Sequence, residues 1–176
     1  MKKIFLSLLF FAFTFSSCEK DDICDPNTAT TPRLVIQFYD FANPSVLKNV
    51  TNLKVVGGGM TDGIILNASG AGDSKYQANG SKIAIPLKTN NVATDFTFTL
   101  NSGNSNAALI NVDKIKFDYT KNDIFVSRAC GFKTIFILNP TNPYTHTIAA
   151  DKWIKYISVE KSNIENENET HIKIFF

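Results

Sequence analysis

From Arg33 onward, apolar and polar residues alternate with a period of two. The segment Thr94 to Leu100 is the clearest case, with Phe96, Phe98 and Leu100 on one side and Asp95, Thr97 and Thr99 on the other. Leu34, Ile36 and Phe38 alternate with Val35, Gln37 and Tyr39. Ile83, Ile85 and Leu87 alternate with Lys82, Ala84 and Pro86, and Ile115, Phe117 and Tyr119 with Lys114, Lys116 and Asp118. Such patterning, rich in β-branched and aromatic residues, predicts half-buried strands. Pro86 cannot donate to a ladder, which puts its strand at an edge or a bulge. Further strands are predicted at Leu53–Val56, Ile124–Ala129, Phe132–Leu138, Trp153–Glu160 and His171–Phe176. Gly131 either bends one long strand or marks a bulge between two.

Turn chemistry separates these segments: Gly57-Gly58-Gly59, Asn79-Gly80, Asn101 to Asn104, Thr120 to Asp123, and Asn139 to Pro143. No stretch holds a 3.6-residue period, and Val46 to Asn52 is given at most one helical turn. About eight or nine short strands without crossover helices predict antiparallel pairing. The expected fold is all-β, a two-sheet β-sandwich, immunoglobulin-like in general architecture, with a β-barrel as the alternative.

The first residues break this pattern. Lys2-Lys3 precedes an apolar run from Ile4 to Phe15, then Ser16, Ser17 and Cys18. A short basic start, an apolar stretch too short for about 30 Å of hydrocarbon, and small residues before a cleavage point make a secretory signal. Cys18 after two small residues resembles a bacterial lipobox, in which the thiol is acylated and the chain cut just before it. Phe15 stands where that pattern prefers Leu. Glu19-Lys20-Asp21-Asp22 resembles the surface-export signal of Bacteroidetes lipoproteins. The expected organisation is a signal peptide over residues 1–17, a tether over 18–32 and a β-sandwich domain over 33–176. The expected location is the outer membrane, lipid-anchored at the cell surface, with its periplasmic face as the alternative.

Composition adds little pull toward any partner. The 176 residues are 44% hydrophobic and 19% charged, an ordinary globular mixture. Loss of Lys2 and Lys3 takes the formal charge from +2 to zero, so no basic field exists for nucleic acid. Cys24 and Cys130 remain beside Cys18. In an oxidising compartment the even pair predicts a disulfide; two separate buried thiols are the alternative. A bridge would leave five residues between Cys18 and Cys24, a leash of roughly 20 Å at most.

Few residues suggest chemistry. Cofactors are not expected. His146 and His171 are too few for a zinc site once the thiols are committed, and are read as solvated or locally bonded. Ser127 beside Arg128 lacks a His partner, and Gly70 to Lys75 lacks the Gly-Lys-Ser/Thr order of a phosphate loop. Glu165, Glu167 and Glu169 would share one side of an extended segment and could offer oxygens to Ca²⁺, as could Asp21, Asp22 and Asp25; a solvated hairpin tip or solvated acids are the plainer expectation. Trp153, Tyr156, Tyr144 and Tyr119 make either core or a sugar platform. Arg128 is either a partner of Asp25 or solvent-facing. Four Asn-X-Ser/Thr sequons, at Asn49, Asn67, Asn79 and Asn168, are read as chance.

Several stretches taken together carry a resemblance. They are Cys18 to Cys24, Thr31 to Asp40, Val126 to Gly131, Trp153-Ile154 and His171 to Ile174. The chain resembles, over nearly its whole length, a family of uncharacterised Bacteroidetes lipoproteins with a domain of unknown function. The resemblance implies an anchored extracytoplasmic domain and a relation between Cys24 and Cys130, and it supplies no activity. The expected role is a non-enzymatic binding or accessory module attached to the membrane through its lipid, meeting another envelope protein or a glycan. A glycan-acting hydrolase with a facing carboxylate pair, or a structural envelope component, are the alternatives.

Overall fold

The computed structural model describes residues 23–147 and 152–176. Eleven strands account for the fold among these residues, with two single-turn 3₁₀ segments at Gly72–Tyr76 and Ala107–Leu109. The sequence reading of an all-β chain built on two sheets holds, and the sheets do not close into a barrel.

The four-stranded sheet contains β1 (Leu34–Tyr39), β4 (Lys82–Ile85), β9 (Tyr156–Val159) and β11 (Ile172–Phe175), in the order β4-β1-β11-β9. The other sheet contains β2 (Leu53–Gly57), β3 (Gln77–Ala78), β5 (Ala93–Leu100), β6 (Asn111–Ser127), β7 (Gly131–Leu138) and β10 (Asn163–Ile164), in the order β10-β7-β6-β5-β2-β3. The seventh strand, β8 (Tyr144–Thr147), pairs with β6. Asn79 to Ser81 carries the chain from β3 in one sheet to β4 in the other. β4 is an edge strand that stops one residue before Pro86, as a missing N–H requires.

One expectation about pairing is corrected. β1 and β11 run parallel, with Ile36 opposite Ile172 and Phe38 opposite Ile174. Parallel neighbours need a long connection, and here the rest of the body supplies it without a crossover helix. The immunoglobulin-like comparison therefore extends only to two packed sheets. Val35 is corrected with it: it was expected on the polar side, but β1 is buried on both faces over Leu34–Ile36.

Three local expectations also change. Thr120–Asp123 is not a turn, because β6 continues through it as exposed strand to Ser127. Gly131 is neither a bend nor a bulge; with φ of +71° it follows the tight turn Arg128–Cys130 that joins β6 to β7. Val46–Asn52 holds no helical turn, and Leu47 instead bridges back to Tyr39.

By contact density the chain divides into two units. One comprises residues up to Thr28 together with Phe125–Phe132, and the other Ala29–Ile124 with Lys133–Phe176. The larger unit holds the core. Leu34, Ile36 and Phe38 from the first sheet meet Phe96, Phe98 and Phe117 from the second in one buried cluster, with Trp153 and Ile154. Aromatic edges fill it, with Phe96 against Phe117 at 6.2 Å and Tyr119 against Phe136 at 5.2 Å between centroids. The predicted tether joins this unit near its end: Pro32 is buried, and the Thr31 hydroxyl accepts the Thr134 N–H at 3.0 Å.

Candidate functional site

The smaller unit is organised around a disulfide. Cys24 and Cys130 are bonded, with Cα atoms 4.9 Å apart, which realises the pairing that parity of the cysteines suggested. The turn that presents Cys130 is fixed by its own side chain, since the Ser127 hydroxyl accepts the Cys130 N–H at 3.0 Å. Asp25 organises the opposite strand of chain by accepting the Asn27 N–H at 2.8 Å. An open hollow of about 560 Å³ lies here, lined by Ile23, Asp25, Thr28, Ser127 and Arg128 among others. Among the described residues no ion pair joins Arg128 to Asp25, and Arg128 faces solvent, the second of its two readings. Cys18 lies outside the described residues.

Three large apolar residues among the described residues of this unit point outward. Ile23 is 82% exposed, Phe125 57% and Phe132 68%. Phe125 and Phe132 stack edge to face across the hairpin, with centroids 5.4 Å apart.

In the larger unit, the buried polar groups form fixed contacts. Asp113 occupies an inward position of β6, two residues before Ile115 and in register with it. Its side chain is fully buried and accepts from His146 Nε2 at 2.8 Å, the Trp153 N–H at 2.9 Å and the Ile154 N–H at 3.0 Å. This carboxyl group ties β6, β8 and the segment leading to β9. It was missed in the sequence, although extending the Ile115, Phe117, Tyr119 alternation backward by one step places an acid on the apolar face.

His171 is the second buried polar anchor. Its Nδ1 accepts the Val35 N–H at 2.9 Å, which prolongs the β1–β11 ladder by one bond. An accepting Nδ1 carries no proton, so the neutral ring is the one that fits. Burial holds the imidazole below its ordinary value; Glu169 and Glu167 oppose that shift and Lys82 adds to it. Because the folded value is depressed, the unfolded chain binds more protons near pH 6, and stability falls as pH drops through about 6.5. Urea midpoints are expected to hold above pH 7 and decline toward pH 5.5. The slope should flatten in His171→Gln, and an unchanged slope in that variant would reject the assignment.

The glutamate trio does not converge. Its segment bends where the calcium reading needs extension, and Asn166 accepts the Asn168 N–H to hold the bend. Glu167 turns to Arg33, accepting at 2.8 and 2.6 Å from Nε and the terminal guanidinium nitrogen, and the guanidinium holds its carboxyl below the usual range. Glu169 lies 3.5 Å from Lys161, and Glu165 is exposed. Among the described residues no group of three His, Cys, Asp or Glu side chains is placed to hold a metal. The aromatic set also separates. Trp153 and Tyr119 enter the core, Tyr144 donates to the Ile157 carbonyl at 3.0 Å, and exposed Tyr156 lies against Phe175. Gly70 to Lys75 forms loop and 3₁₀ turn between β2 and β3.

A model of a family of unknown function, DUF6452, matches residues 52–176. The chain belongs to this family. The DUF6452 match takes in every strand from β2 to β11, Asp113, His146 and Cys130, and begins after β1 and Cys24. No curated protein and no solved structure matches the chain. Among the described residues no helix is long and apolar enough to cross a membrane.

Proposed function

We propose that this DUF6452 protein is a lipid-anchored extracytoplasmic lipoprotein of the Bacteroidetes type, serving the outer membrane as a non-enzymatic binding or accessory module. The observation that carries the proposal is the Cys24–Cys130 disulfide. Such bonds persist in oxidising compartments and are rare in the cytosol. The bond sits just after Cys18, where the signal-like start and the lipobox-like Ser16-Ser17-Cys18 call for an acylated sulfur. Lys20-Asp21-Asp22 favours the surface leaflet.

A binding role is favoured over a glycan-acting hydrolase by how the carboxyl groups are used. Asp40, Asp118, Glu160, Glu167 and Glu169 each lie within 4 Å of a Lys or Arg nitrogen, and Asp113 is consumed in the scaffold. A glycosidase needs two carboxyl groups facing one cleft.

Metabolic labelling with palmitate tests the anchor. The wild-type protein is expected to take up label and sediment with outer membranes, and Cys18→Ala is expected to lose both properties. Wild-type protein without label, or recovered from cytosol, would refute it. Protease shaving of intact cells separates the surface leaflet from the periplasmic face.

A further inference from the structure

We infer that the disulfide-tied hairpin tip is a membrane-contact surface, with Ile23, Phe125 and Phe132 entering the interface of a lipid bilayer. The inference rests on the anchored reading above and adds a second point of attachment to it.

The first ground is the surface itself. Among the described residues of that unit, Ile23, Phe125 and Phe132 are each more than half exposed, and the two rings support each other at 5.4 Å. Apolar side chains clustered this way mark a contact surface for a partner or a membrane. The second ground is where the chain leads. The residues that precede Ile23 run back to Cys18, and Cys24 is bonded to the turn between the two phenylalanines. Five residues separate Cys18 from Cys24, so a bilayer holding the acyl chains lies within roughly 20 Å of the bridge. No other partner is held at that distance by the covalent structure.

The third ground is chemical fit. Phenylalanine side chains bury at the boundary between headgroups and acyl chains, and an Arg can lay its stem along apolar surface while its charge stays among phosphates and water. Arg128 stands in the turn between Phe125 and Phe132. The chain from Cys18 onward has zero formal charge, which leaves apolar contact as the main attraction and makes it insensitive to salt. The acyl chains hold the protein at the membrane, and the tip adds a second contact beside them.

The experiment uses lipidated full-length protein in phosphatidylcholine–phosphatidylethanolamine vesicles containing brominated phosphatidylcholine. Trp153 is the single native tryptophan and is buried, so wild-type protein sets the background. Phe132→Trp is expected to shift its emission to the blue on vesicle binding and to be quenched by bromine near the headgroup, equally at low salt and at high salt. In the unacylated Cys18→Ala chain, the further change Phe125→Ser with Phe132→Ser is expected to weaken vesicle partition about tenfold. Both phenylalanines are exposed, and far-ultraviolet circular dichroism checks that the variant stays folded. Palmitate label is measured on the same preparation. Labelled protein with an unquenched reporter overturns the tip contact and leaves the anchor standing. Unlabelled protein overturns both. A blue shift that depends on protein concentration in the absence of vesicles overturns the lipid assignment in favour of a second copy of the chain.

Discussion

Asp113→Ala is expected to lower the free energy of unfolding by about 3–4 kcal/mol. The side chain is fully buried and receives three donors: His146 Nε2 and the backbone N–H groups of Trp153 and Ile154. Truncation leaves those two amides unpaired among core side chains, and each such group costs roughly 1–3 kcal/mol. It also frees the segment that enters β9, whose Trp153 and Ile154 side chains belong to the core. Asp113→Asn should lose about half as much, because its one accepting oxygen can keep both backbone amides while its N–H₂ group faces His146 Nε2. His146→Ala should cost least, since both amides keep their acceptor. Urea denaturation followed through buried Trp153 measures all three. A loss below about 1 kcal/mol for the alanine variant would mean that water or rearrangement replaces the acceptor.

Cys24→Ser, Cys130→Ser or both together are expected to lower stability by about 3–4 kcal/mol. The bridge joins residues 106 apart, and closing a loop of that length removes much freedom from the unfolded chain, with an entropic ceiling of about 4.7 kcal/mol. Ile23 to Asn27 are exposed, so few native contacts are lost with the bond. The effect therefore resides mainly in the unfolded state. Guanidinium midpoints should fall alike for the single and double variants. Mass analysis of unreduced native protein should show no free thiol at either position, and two free thiols would remove the basis of the expectation.

The strands that were legible share a physical property: each has one buried face. Phe96 and Phe98, Ile115 and Phe117, and Ile83 and Ile85 alternate because the core takes every second side chain. Strands with too few apolar positions to repeat that alternation were not legible. Tyr144 to Thr147 and the two-residue β10 carry little apolar signal, and are strands because neighbours β6 and β7 offer free ladder positions. Thr120 to Asp123 read as a turn for the same reason, being exposed on both faces of a continuing strand. The parallel β1–β11 pair is invisible locally, because nothing in either segment encodes a partner so far along the chain. At the candidate site, parity foretold the bridge between Cys24 and Cys130, whereas the outward turn of Phe125 and Phe132 was hidden. A phenylalanine in an alternating strand reads as core until its surroundings are known. The glutamate trio takes the plainer of its two readings, because convergence on a cation required an extended backbone and Asn166 bends it.

The adjacency of β1 and β11 also bears on how the molecule reaches its native state. Val35 and His171 are hydrogen-bonded although 136 residues separate them. During synthesis, the side of β1 away from β4 stays open until the distant β11 has emerged. Nucleation must then bring distant segments together, which slows acquisition of the native state and prolongs the time an unpaired edge is available to wrong partners.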